Sequence, residues 1–399
     1  MANLGVYVQV PFCQTKCTYC NFHTGVVSSD RFASYIDAIC QEISHHCDLF
    51  ASAGTSGPKR FDWQSLRQVV HEPRRADTIY IGGGTPSLLD PGLLARMLES
   101  LRAVFACSSE EVTLEADPET IEPEKAVQWV IAGINRISFG SQSFIDDELK
   151  AAGRMHRRAD IYRAVPILRD AGISNISFDL IAGLPKQTHA SWRQSLSEAI
   201  ALSPEHISIY IMEIDEGSRL GLEVIRSGSR YSARELPSEE SMAEFYELAQ
   251  AELQWAGYEQ YEISNWARAG FASKHNLKYW RREPYLGFGA GAHSFFGRQR
   301  WSNVHDSAAY VAAINAGRSP IDHVDTVTPD LAFEEEIFLG LRQLSGIDLP
   351  RIEREYGVSL SEKIGRLASN GMLEREGNLV RLARGKLSVS NEILVELLR

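Results

Sequence analysis

Residues 11–22, PFCQTKCTYCNF, place Cys13, Cys17 and Cys20 within eight positions, directly after the apolar run Val6 to Val10. A loop leaving the carboxyl end of a buried strand is where α/β sheets keep their ligand sites, so the triplet bears on fold as well as chemistry. Thiols spaced four and three residues apart can reach one cofactor together, and soft thiolates select zinc or iron–sulfur clusters over hard cations. A structural zinc site closes with a fourth Cys or His, usually as two ligand pairs. His23 is available as that fourth ligand, but no second CxxC pair exists. An iron–sulfur cube on three thiolates instead keeps one iron open, since full ligation takes four. Free cysteine also packs as an ordinary apolar side chain, although three of the chain's 6 cysteines in one short loop speak against that reading.

Outward from the triplet, short β-branched runs alternate with helical stretches, the pattern of βα units and a parallel sheet. Strands are predicted at Val6–Val10, Thr78–Ile81, Glu111–Glu115, Arg136–Phe139, Asn175–Leu180 and His206–Tyr210. A helix from Asp30 to Cys47 carries Phe32, Tyr35, Ile36, Ile39 and Ile43 at helical spacing, with Cys40 on the same stripe. The small, polar ASAGTSGPK of residues 51–59 reads as a flexible surface insertion without chemistry. Six βα units without a seventh and eighth predict an α/β fold with an open, partial (β/α)6 barrel rather than the closed eightfold form.

After Tyr210 the pattern changes to a long amphipathic helix, Glu239 to Gly257, an aromatic stretch, Tyr258 to Trp280, and glycine-rich LGFGAGAHS at residues 286–294. From Thr328 the chain turns helical, with a hairpin from Leu373 to Leu382 around Glu376-Gly377-Asn378 and a last helix, which together predict a small winged-helix-like C-terminal domain. The expected division is 1–300 for the barrel with its extension and 301–399 for the C-terminal domain. DNA binding by such a unit is not expected: Asp330 to Arg399 carries ten Lys/Arg against twelve Asp/Glu, whereas phosphate contacts need a positive excess. The net charge of −11 likewise argues against a nucleic-acid partner or an anionic membrane. With no leader pattern after Met1 and no apolar run near the roughly 20 residues a bilayer requires, a soluble cytoplasmic protein is expected, touching membranes only peripherally through a partner. Cys40, Cys47 and Cys107 fit a reducing compartment.

Polar and glycine motifs follow the predicted strand ends. Gly82-Gly83-Gly84-Thr85-Pro86 comes after the second strand, where residues without Cβ let backbone approach a ligand closely. Glu115 in LEADP ends the third and could accept hydrogen bonds from two hydroxyls at once, or be an ordinary solvated acid. Gln142 in FGSQSF, Arg154 in GRMH and Asp179 in SFDLIAGLP follow or close strands four and five.

The CxxxCxxC spacing followed by Asn21 and Phe22 resembles the signature of radical S-adenosylmethionine (SAM) proteins. That resemblance implies a [4Fe-4S] cluster on Cys13, Cys17 and Cys20, with the amino and carboxylate groups of SAM on the open iron. It places SAM's amino group at the GGGTP stretch, hence at Gly83, Gly84 and Thr85, and its ribose at Glu115. Tyr7, Tyr19, Gln142, Arg154 and Asp179 match SAM-holding positions in the coproporphyrinogen dehydrogenase relatives. Those that decarboxylate coproporphyrinogen III, however, carry another cysteine two residues after the third, where this chain has Phe22, and an N-terminal extension before the first strand.

His275-Asn276-Leu277-Lys278-Tyr279-Trp280 is similar to the HNxxYW motif of the haem chaperones within the same superfamily. Imidazole is a common axial ligand of haem iron and aromatic rings can lie against a porphyrin. The resemblance therefore implies haem contacts from His275, Asn276, Tyr279 and Trp280, with His275 toward the iron. His293, in GAGAHS, is a second candidate; a hydrogen-bonded packing histidine is the plain alternative. The expected function is that of a chaperone which binds haem and hands it to acceptor haemoproteins, including membrane-bound respiratory enzymes. The cluster and SAM would structure or regulate the transfer, and a homodimer is implied by the same likeness. Oxygen-independent coproporphyrinogen III dehydrogenation by radical SAM chemistry is the alternative activity.

Overall fold

The computed structural model describes residues 3–53, 75–108 and 110–398, without the side chains of 50–53 and 388. Six parallel strands, β1 (Asn3–Val10), β2 (Arg75–Gly83), β3 (Glu111–Ala116), β4 (Arg136–Gln142), β5 (Asn175–Ala182) and β6 (His206–Ile211), pair in sequence order. Strands covered on both faces bury β-branched residues on successive turns of the pleat, as Val6, Val8, Val10, Ile79 and Ile81 do here. The helix Asp30–Ala53 covers the outside of β1 through Tyr35, Ile36, Ile39 and Ile43. The helix Pro91–Val104 follows β2, started by Pro91 and capped by Asp90, which accepts from Gly92 N. The remainder of the expected insertion, 54–59, lies outside the described residues.

Six further strands, which the sequence pattern did not disclose, extend this sheet on both sides. β7 (Glu259–Glu262) and β8 (Asn265–Ala267) add antiparallel beyond β6. On the other side β9 (Tyr285–Phe288) runs parallel to β1, and β10 (His293–Phe296), β11 (Gln299–Asn303) and β12 (Ile321–Thr326) meander antiparallel after it. The order is β12-β11-β10-β9-β1-β2-β3-β4-β5-β6-β8-β7, with β12 and β7 at its two edges, so the sheet is the expected open partial barrel. The ladder from β11 to β12 runs on to Thr326, so a cut at residue 300 passes through β11; the sheet as hydrogen-bonded ends at Thr326.

Past it, helices Pro329–Gly340, Leu349–Tyr356, Ser361–Ser369 and Ser390–Leu398 surround a small sheet of Ile347–Asp348, Leu379–Leu382 and Leu373–Glu376. The last two strands form the expected hairpin, turning through Gly377 at φ 60°. This unit is fastened to the barrel by Arg282 to Glu335 at 3.1 Å, Arg300 to Glu335 at 2.7 Å, and Leu344 N to Tyr261 O at 3.1 Å. Among the described residues no helix is long and apolar enough to cross a membrane.

Candidate functional site

The loop after β1 is closed on itself by Cys13 N to Gly25 O at 3.1 Å and Gly25 N to Pro11 O at 2.8 Å. Phe12 anchors it, its ring against Phe32 at 4.7 Å and Tyr35 at 4.9 Å. Thr18 ties its middle to the turn after β4, donating from N to Ala152 O at 3.0 Å, and Leu220 N returns to Thr18 O at 2.8 Å. Cys13, Cys17 and Cys20 are partly exposed free thiols on this framework. Among the described residues no three His, Cys, Asp or Glu converge on a single ion. A cubane asks for something else, one thiolate at each ligated iron corner. Arg154 Nη1 lies 3.4 Å from Cys17 Sγ, and burial pushes the Cys13 thiol above its ordinary value, Thr24 and Thr85 pulling it back by hydrogen bonding.

Beside the loop sits the glycine turn at the end of β2. Gly84 N donates to Val10 O at 2.8 Å and Thr85 N to Phe12 O at 2.7 Å, and a Cβ on Gly84 would come within 2.4 Å of Phe12 O. Backbone can come this close only to glycine. Gly83, at φ 119°, aims its N–H at Glu115 Oε2, 2.9 Å away, while Tyr80 donates its hydroxyl to Oε1 at 3.0 Å. Burial raises Glu115 to about 7, with Asp179 and Asp117 adding negative charge nearby.

Asp179 accepts from Ser138 Oγ at 3.0 Å, and its carboxyl is raised chiefly by burial. Gln142 stands at φ 54°, a backbone conformation that side chains other than glycine rarely adopt. Its Oε1 is buried and has no hydrogen-bond partner among the described residues. Arg154 pairs with Asp117 and reaches Gly140 O at 3.1 Å. Tyr19 packs against the Ile181, Leu184 and Met212 cluster, and Tyr7 donates to Gln9 Oε1 at 2.6 Å. The cysteines, Gly83, Gly84, Thr85, Glu115, Gln142, Arg154, Asp179, Tyr7 and Tyr19 are thus carried on β1 to β5 and the loops at their carboxyl ends. Asp117 and Gln9 complete the arrangement and were not singled out from sequence. Asp117 stands in the same LEADP motif as Glu115, and Gln9 is two residues from Tyr7, hence on the same face of β1.

HNLKYW lies at the opposite end of the barrel. Its helix, Lys274–Trp280, is capped by Ser273, and Glu111, at the start of β3, accepts from Lys274 N at 3.0 Å and His275 N at 2.9 Å. A carboxylate at a helix N-terminus is electrostatically favourable. Lys278 is held by Asp77 at 3.0 Å and Glu283 at 3.1 Å. His275 is 1% exposed, with Nδ1 2.9 Å from Thr78 Oγ1 and Nε2 2.9 Å from Tyr279 OH. His275 and Tyr279 do share a face, as the helical spacing predicts, but it is turned inward: burial, Lys278 and Arg136 lower His275 to about 3. Both ring nitrogens are thus engaged within the fold, and the ring has no open side. Asn276 and Trp280 are half-buried beside it.

Fold and cysteine loop together define a radical SAM protein: residues 7–199 match the model of the Radical SAM superfamily, and 327–385 match that of the HemN C-terminal domain. Heme chaperone HemW of Bacillus subtilis is 35% identical to this chain over 394 residues, 97% of each, and that of Lactococcus lactis is 30% identical, covering 98% of this chain and 96% of its own length. The chain belongs to the heme chaperone HemW family. Its fold matches Escherichia coli coproporphyrinogen III oxidase (HemN) with a TM-score of 0.80 at 22% identity, over 99% of this chain and 90% of that one.

Proposed function

We propose that this protein binds haem and hands it to acceptor haemoproteins, membrane-bound respiratory enzymes among them, while a [4Fe-4S] cluster and SAM in the barrel mouth structure or regulate the transfer. The observation that carries this reading is identity at 30–35% to heme chaperones along almost the whole chain, the C-terminal unit included. Phe22, in the place of a further cysteine, supports haem handling over decarboxylation of coproporphyrinogen.

In this reading Cys13, Cys17 and Cys20 ligate three irons, and Arg154 offsets thiolate charge from beside Cys17. SAM bound at the fourth iron would supply a reductively cleavable sulfonium. Gly83, Gly84 and Thr85 offer a cradle free of Cβ atoms, Glu115 and Asp179 accept from hydroxyl or ammonium donors, and Gln142 offers an unpartnered amide oxygen. Tyr7 and Tyr19 wall the chamber. A polar ligand would satisfy that orphaned buried acceptor, since a buried polar group without a partner costs about 1–3 kcal/mol. Division of labour after Thr326, a cytoplasmic location and a homodimer belong to the same proposal, the last tested by size-exclusion chromatography with light scattering.

The test is one anaerobic, cluster-reconstituted preparation assayed twice. Hemin titration should give a stoichiometric Soret band, and mixing with an apo-haemoprotein should move that band to the acceptor. Protoporphyrinogen IX formed from coproporphyrinogen III with stoichiometric 5′-deoxyadenosine would overturn the chaperone reading.

A further inference from the structure

Both ring nitrogens of His275 are hydrogen-bonded in the base of the barrel, which turns attention to the other imidazoles as partners for haem iron. Most histidines among the described residues are already occupied. His206 bonds Ser177 Oγ at 2.7 Å and Tyr261 OH at 2.8 Å, and His156 bonds Ser141 O at 3.1 Å. His189 and His323 face Glu244 and Asp325, each at 2.7 Å. Three are different. His23, His293 and His305 are exposed, and among the described residues their ring nitrogens have no hydrogen-bond or carboxylate partner.

These three come from distant parts of the chain and meet on one surface. His23 belongs to the cysteine loop, three residues past Cys20; His293 begins β10; His305 follows β11. The rings of His23 and His305 are 4.2 Å apart and those of His305 and His293 are 6.5 Å apart. Gly291, at φ 71°, makes room for the group: a Cβ there would lie 2.9 Å from His305 Nδ1. Next to His23 the loop exposes Phe22 (67%) and Val26 (60%), two large apolar side chains in water. Burial first, and then the neighbouring His305 and Arg300, disfavour protonation of His293; Arg300 itself is paired with Glu335 at 2.7 Å.

We propose that His23, His293 and His305 form the haem-docking face of this chain, one imidazole taking the iron while Phe22 and Val26 lie against the macrocycle. The inference rests on the haem-chaperone reading and assigns its site. A bare metal ion needs three or four protein ligands around one point, and these residues do not converge so. Haem brings four pyrrole nitrogens of its own and asks the protein for one imidazole and apolar surface. The geometry therefore suits a porphyrin iron. It also puts one wall of the docking face on the loop that carries the cluster cysteines, so filling the cluster would set the position of His23.

The experiment is hemin titration of the full, reconstituted chain, followed by absorption and electron paramagnetic resonance, for wild type, for His23→Ala/His293→Ala/His305→Ala together, and for the exposed control His189→Ala. The proposal expects the triple variant to bind at least tenfold more weakly and to lose the imidazole-ligated spectrum, added imidazole to restore that spectrum, and the control to match wild type. Circular dichroism checks that the variants fold, and the double variant His293→Ala/His305→Ala, which leaves the cysteine loop untouched, should show the same spectral loss. A triple variant indistinguishable from wild type overturns the docking face while leaving the chaperone reading intact. Wild type that takes up no hemin overturns both, and zinc uptake abolished by the triple variant with hemin binding unchanged overturns the porphyrin assignment.

Discussion

Glu115 is held protonated more readily in the fold than in the unfolded chain, about 7 against an ordinary 4.5, because the barrel interior solvates its charge poorly. The native state then binds the proton more tightly than the unfolded state, so this group's contribution to stability is present at low pH and is lost as pH rises from 4.5 through 7. Glu115→Gln keeps an acceptor for Gly83 N and removes the titration. Urea unfolding of the ligand-free protein should show the variant gaining on wild type by up to about 3 kcal/mol between pH 5 and pH 8; parallel curves would exclude Glu115 as the source. His275 runs the other way. Its folded value of about 3 means that protonation is opposed in the fold, so the stability it contributes is full above 6.5 and lost as pH falls. His275→Ala strands Thr78 and Tyr279 in a buried space and should cost about 2–4 kcal/mol in thermal or urea unfolding, while the Soret spectrum of the folded fraction stays that of wild type. From the sequence, spacing announced that His275 and Tyr279 share a face. Which way the face looks was not legible, because it depends on Glu111 and Asp77, more than 160 residues away.

At the level of elements, the cysteine loop and the glycine turn are one assembly: Thr85 N and Gly84 N hold the loop's first residues by backbone hydrogen bonds. Gly84→Ala drives a methyl into Phe12 O and must displace the segment leading to Cys13. We expect at least a tenfold loss of SAM affinity by isothermal titration, about 1.4 kcal/mol or more, together with lower iron and acid-labile sulfide per chain after reconstitution. An unchanged iron content would mean that the loop does not depend on the turn. The six parallel strands were legible to within a few residues because each sets β-branched or other apolar side chains in a short, largely buried run between helical stretches. β7 to β12 were not: they are three to six residues long, and Glu259, Gln299 and Asp322 give them no apolar alternation. They exist because an existing sheet edge offers unpaired backbone, a tertiary fact that local pattern does not carry.

For the whole molecule, the join between barrel and C-terminal unit is polar. Glu335 receives both Arg282 and Arg300, and Arg282 also reaches Glu336 at 3.4 Å. Glu335→Ala removes the shared carboxylate from two guanidiniums that are not fully solvated, and should cost about 1–2 kcal/mol. Limited proteolysis should then release the segment after Thr326 faster than in wild type; equal digestion rates would show that apolar contacts alone hold the join. A second consequence of the base helix lies in how such chains are sorted. Because HNLKYW is anchored through Thr78, Glu111 and Asp77, the string stoppers the barrel in this chain, and sorting such chains by it alone selects first for that stopper. Columns equivalent to 23, 293 and 305 are where we expect haem carriers to part company with the rest.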